Sequence, residues 1–163
     1  MILLKLPFKF NAGVRKPNWI QLAASMNIQV REHFGDKMKR KEKISEEIRK
    51  QIGEEKFSHE KVTCINKKTK KTYVKDVWTY IPGPLHKPDV IYRRGSVSLL
   101  DPWDNFGASF KNIGDVIVEL GLMKDDASDF VGKFTPIPHK VDKQKDAYIE
   151  VEIHERKEHS EKH

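Results

Sequence analysis

The sequence holds a single cysteine, Cys64. One thiol makes neither an intrachain disulfide nor a cysteine zinc cluster, and such sparing use suits a reducing compartment. Cys64 falls in an alternating, strand-like run and is expected to be a buried packing residue. No stretch approaches the roughly 20 apolar residues of a membrane-spanning helix. The opening Met1-Ile2-Leu3-Leu4-Lys5 lacks the basic start and long apolar core of a signal peptide, so the expectation is a soluble, intracellular protein. A Ser-His-Asp arrangement, a Walker-type glycine-rich loop and a dinucleotide fingerprint are also missing. The seven histidines show no metal-ligand spacing, and there is no internal repeat.

What is present is charge. Lysine and arginine number 31 against 24 acids, a formal net charge of +7 over 163 residues. An excess of this sign suits a polyanionic partner, either nucleic acid or an anionic membrane surface. The 37% hydrophobic content is enough for one domain with a real core.

Hydrophobic periodicity outlines the elements. Residues 2–10 read as one strand, with Pro7 marking an edge or bulge. A helix is expected from Pro17 to Gly35, because Trp19, Leu22, Met26, Val30 and Phe34 recur at helical spacing. A second, more exposed helix spans 37–56, with Ile44, Ile48 and Ile52 four apart and a stop near Gly53. It opens on the basic run Lys37-Met38-Lys39-Arg40-Lys41, which is either a solvated face or a phosphate contact. Residues 61–66 and 72–81 form a candidate hairpin around Lys67–Lys71. Short strands are expected at Val90–Arg93, Val97–Leu100, Phe130–Phe134 and Tyr148–Ile153. Residues 154–163 read as a charged, flexible tail. The order of elements indicates an α+β fold: a single domain over 1–153 with a mixed or antiparallel sheet and packed helices.

The segment from Asp101 to Asp126 carries the chemistry. Asp104 is a good N-cap and Gly121 a good stop for a helix over 105–120. Phe106, Phe110, Ile113, Ile117 and Leu120 form its core stripe. Asp104, Ala108, Lys111 and Asp115 then fall on the opposite face. Asp101 precedes the helix, and Asp125 and Asp126 follow it. Clustered carboxylates suit a hard cation such as Mg²⁺, which assists phosphodiester hydrolysis. A lysine on the same face stabilises charge built up in the transition state. The same residues also make an ordinary strand-to-helix turn and a plain loop. Spacing alone does not bring the two ends of the helix together; a helix leaning across a sheet, or a partner subunit, must do so.

This segment resembles the RusA-like Holliday-junction resolvases of bacteria and phages. Their signature is an Asp-x-Asp-Asn entry to a helix, a lysine within it, and an Asp, apolar run, Gly-x-x-x-Asp-Asp ending. Here the run from Lys111 through Asp115 and Gly121 to Asp125-Asp126 matches closely. Ile91-Tyr92-Arg93-Arg94 followed by Leu99-Leu100-Asp101 is similar to phage-type members, as is the last strand, Ala147 to Ile153. The likeness covers residues 90 to 153, and 36–89 is a possible family-variable insertion.

The resemblance implies a homodimeric, Mg²⁺-dependent (or Mn²⁺-dependent) endonuclease that cuts four-way DNA junctions symmetrically, cytoplasmic and encoded by a bacterium or phage. By position it assigns Asp101, Asp104 and Asp126 to the metal, with Asp125 as a further candidate, and Lys111 to catalysis. Two departures stand out. Pro102-Trp103 places one residue more than usual between Asp101 and Asp104, so convergence needs a bulge or turn there. Lys111 lies seven residues after Asp104, which keeps the helix face. If Asp101 does not converge, Asp125 or Asp115 completes the set. Arg93, Arg94, Lys133 and Lys140 are candidate DNA contacts. Trp103 is either a packing residue or a wedge against an unstacked base. The alternative reading is a DNA-binding module of the same fold without catalysis.

Overall fold

The computed structural model describes residues 1–100, 105–125 and 131–157. Along the chain run strands β1 (Ile2–Leu6), β2 (Lys9–Asn11) and β3 (Trp19–Gln21), then helices α1 (Met26–Gln29) and α2 (Phe34–Ile52). Strands β4 (Phe57–Ile65), β5 (Thr72–Tyr80) and β6 (Asp89–Ser96) follow, then helix α3 (Asn105–Glu119) and strands β7 (Phe134–Lys140) and β8 (Tyr148–His154).

The fold is α+β with a mixed sheet. Its four strands lie in the order β1-β8-β6-β7. β8 pairs antiparallel with both β1 and β6, while β7 joins β6 in parallel. Period-two alternation aims Ile149, Val151 and Ile153 of β8, Leu4 and Leu6 of β1, and Val90 and Tyr92 of β6 at one buried face. Helices α2 and α3 pack against each other, and their inward residues share the core with that face. Ile44 and Ile48 of α2 and Ile113 and Ile117 of α3 are wholly buried, each contributing about 1.5–3 kcal/mol. The region 36–89 is therefore no appendage, since Ile44, Ile48 and Phe57 lie in the common core.

Both edges of the sheet are blocked. β7 carries Pro136 and Pro138, which lack the N–H a further strand would need. At the other edge, the Gln51 side-chain amide accepts from the Lys5 N–H and donates to the Lys5 carbonyl, at 2.8 Å each.

Several expectations are corrected. The strand over 2–10 is two strands, because β2 leaves the main sheet to pair with β3. The helix from Pro17 to Gly35 is absent: Trp19–Gln21 is strand, and Leu22, Ala23 and Ala24 are buried before the short α1, capped by Ser25. Of the five supposed stripe residues only Leu22 is buried; Trp19, Met26, Val30 and Phe34 are exposed. α2 starts at Phe34 and ends at Ile52, capped by Gly53, whose φ of 117° suits glycine. The hairpin begins at Phe57, earlier than expected, and Cys64 on it is only partly buried. Val97–Leu100 is not a strand, and the strand sought at Phe130–Phe134 lies instead at Phe134–Lys140. The tail does not start at 154. His154 is in β8, Arg156 pairs with Asp89 at 2.8 Å, and Glu155 accepts from the His86 N–H. Among the described residues no helix is long and apolar enough to cross a membrane.

Candidate active site

α3 is held on the sheet by an aromatic ladder. The Tyr92 ring lies 5.2 Å from Phe106 and 5.0 Å from Phe110, and Phe110 lies 4.9 Å from Phe134 of β7. Ser109 Oγ donates to the Phe106 carbonyl at 2.6 Å, so the Tyr92 hydroxyl, 2.8 Å away, is the donor to Ser109. Burial pushes the Tyr92 phenol up to about 12, against smaller opposing effects of Ser109 and Arg94, so it remains a neutral donor. The helix ends as expected: Gly121 has φ +74°, its N–H reaches the Val118 carbonyl, and the Leu122 N–H reaches the Ile117 carbonyl.

These constraints orient the outer face of α3. Lys111 is more than half exposed there, with Asp115 3.6 Å from its ammonium one turn on. An exposed i,i+4 pair is worth at most about 0.5 kcal/mol, so Lys111 is readily drawn to a stronger anion. Beside it runs an open groove of about 390 Å³. Its lining includes Gly107, Ala108 and Lys111 of α3, Met123 and Val131 beyond the helix, and Phe134 of β7.

Of the residues singled out from sequence, Asp101, Asp104, Asp126 and Trp103 lie outside the described residues. Asp125 is described and exposed. As donor types, the aspartates fit Mg²⁺ or Mn²⁺, which take hard oxygen ligands. Among the described residues no three His, Cys, Asp or Glu side chains gather into a metal-sized cluster.

The basic candidates separate. Lys133 and Lys140 are both exposed: Lys133 precedes β7, and Lys140 ends it, paired in register with Ser96. Arg93 is half-buried on the other side of β6, ion-paired with Glu152. Hydrogen bonds from His154 and from Arg93 hold the Glu152 carboxyl below its ordinary range.

Arg94 is corrected as a DNA contact. It is 4% exposed, donates to Ser96 Oγ at 2.8 Å and to the Ala23 carbonyl, and lies 4.9 Å over the Phe8 ring. Its burial follows from strand alternation, which puts it on the face of Val90 and Tyr92. Arg40, in the basic run, is likewise buried, held by Glu32 and by the Gln21 carbonyl. It continues the four-residue spacing of Ile44, Ile48 and Ile52, a signal available in the sequence. Gln29 was missed altogether: its amide donates to the Ala24 and Ala108 carbonyls and ties α1 to α3.

No protein-family model matches the chain, and neither a curated protein nor a solved structure was found to match it.

Proposed function

We propose that the chain is a metal-dependent endonuclease acting on branched DNA, with its centre on the outer face of α3. The observation that carries this reading is the groove. Its lining joins the first two turns of α3, which follow Asp104 in the chain, to Met123 and Val131, which flank the segment holding Asp125 and Asp126. Residues that follow Asp104 and residues on either side of Asp125 and Asp126 thus border one space, and the exposed Lys111 is among them.

Asp101, Asp104 and Asp126, with Asp125 as a further donor, would hold Mg²⁺ or Mn²⁺. When bound, such an ion neutralises a scissile phosphate and lowers the pKa of water. Lys111 would exchange its weak pairing with Asp115 for a non-bridging phosphate oxygen, where charge grows in the transition state. Lys133, exposed just before β7, would bind backbone phosphate and position the strand without reading bases. Symmetric cutting of a four-way junction calls for two such sites, and so for a homodimer.

The test uses a labelled mobile four-way junction and a linear duplex, with Mg²⁺ or with chelator. The wild-type protein is expected to make paired symmetric nicks in the junction only with metal. Asp104→Asn and Asp126→Asn should abolish them, and Lys111→Ala should slow them by about 10²–10³-fold with little loss of binding. Tight junction binding without any cutting supports instead a DNA-binding module without catalysis. No preference for the junction over the duplex removes both readings.

A further inference from the structure

The β4–β5 hairpin leaves the body of the protein. Its base is anchored. Phe57 is in the core, 5.5 Å from Tyr80, and the Tyr80 N–H reaches the Leu120 carbonyl. The Trp78 ring stacks on His59 at 4.0 Å and carries the Arg49 guanidinium 3.9 Å above it. Beyond that, register pairing continues from Lys61–Asp76 to Ile65–Thr72, and apart from Cys64 every residue from Lys61 to Asp76 is exposed on both faces. Five further residue pairs extend the ribbon by roughly 17 Å before the turn.

The distal part is charged in one sign. Between Lys61 and Lys75 stand six lysines, completed by Lys67, Lys68, Lys70 and Lys71, with no aspartate or glutamate. The turn that presents four of them is ordered. Asn66 Oδ1 accepts from the Lys68 and Thr69 N–H groups, and the Asn66 backbone bonds to both Lys70 and Lys71. Lys70 has φ +58°, a left-handed conformation that glycine or asparagine adopts more readily. A lysine there keeps charge at the tip against the local backbone preference. An isolated two-stranded hairpin is marginal in water, so the exposed half calls for a partner.

We propose that the β4–β5 arm is a DNA-docking element that lays its lysine-bearing half along the phosphates of a duplex outside the cleavage centre. A two-stranded ribbon fits the roughly 12 Å major groove of B-DNA. Six lysines without an acid complement phosphates and repel the same arm of a second copy. The proposal rests on the reading of the chain as a DNA-acting protein, but not on its cutting chemistry.

The test is binding of a labelled duplex and a four-way junction to the full-length protein in chelator, followed by fluorescence anisotropy over a range of salt. Replacing Lys67, Lys68, Lys70 and Lys71 by glutamine is expected to weaken binding by about ten- to a hundred-fold. It should also reduce the slope of log affinity against log salt by about 3–4, near 0.9 for each lost phosphate contact. The charge-keeping arginine replacement should restore both. Lys67→Gln with Lys68→Gln carries the test, at half the slope change, if the fourfold variant fails to fold. An unchanged slope overturns the proposal. So does a change from dimer to monomer in sedimentation with DNA affinity intact, which would assign the arm to a second copy. Made in an Asp104→Asn background, in which cutting is already lost, the fourfold glutamine replacement should give the same drop in slope, so loss of cutting and loss of docking are read separately.

Discussion

Two basic runs of almost equal composition, Lys37-Met38-Lys39-Arg40-Lys41 and Lys67-Lys68-Thr69-Lys70-Lys71, have opposite fates. The first lies in the opening turns of α2. There Arg40 faces inward to Glu32 and the Gln21 carbonyl, and Lys41 reaches Glu119 of α3. The second sits at a hairpin tip where every member is exposed. A helix gives each residue one of several faces, and one face of α2 is the core. A hairpin tip has no core to turn toward. A charge run is therefore interpretable only once its element is known: the first run stabilises the fold, and the second leaves its charge available to a partner.

The largest expected effect that sharpens this contrast is at Arg40. Arg40→Ala leaves the Glu32 carboxylate, 9% exposed, without its partner and should cost about 3–5 kcal/mol in denaturant unfolding. A loss below about 1 kcal/mol would place Arg40 with the surface lysines and erase the contrast. Next is Lys70→Gly, which relieves the left-handed backbone and should raise stability by up to about 1 kcal/mol while weakening DNA binding. Stability and binding moving together would show that the turn lysine serves the fold. The smallest effect is at Lys41, whose pair with Glu119 is partly exposed; Lys41→Ala should cost no more than about 1 kcal/mol, fading as salt is added.

Legibility in the sequence followed the length of the periodic signal. α3, β8 and the hairpin were readable because a helical stripe or strict alternation persists over a whole element. β2, β3 and α1 were not: three or four residues cannot separate a period of 2 from one of 3.6, and Trp19, Leu22 and Met26 mimic a helix face. β7 was hidden because Phe-Thr-Pro-Ile-Pro-His-Lys reads as a loop, and its strand character depends on parallel pairing with β6, some 44 residues back in the chain. At the candidate site, helix phase placed Lys111 and Asp115 on one face. The groove that Lys111 lines also takes in Met123 and Val131, far along the chain, which no local pattern encodes. Arg94 was assigned by its charge when its place in the alternation of β6 was the better guide.

The blocked sheet edges bear on assembly. With prolines along one margin and a glutamine amide occupying the other, the sheet is finite, and neither margin offers a template for a strand from another molecule. Pairing of two copies through this sheet must then join faces, by side chains rather than backbone. The same closure guards against runaway strand-to-strand stacking when many copies of the protein are crowded together.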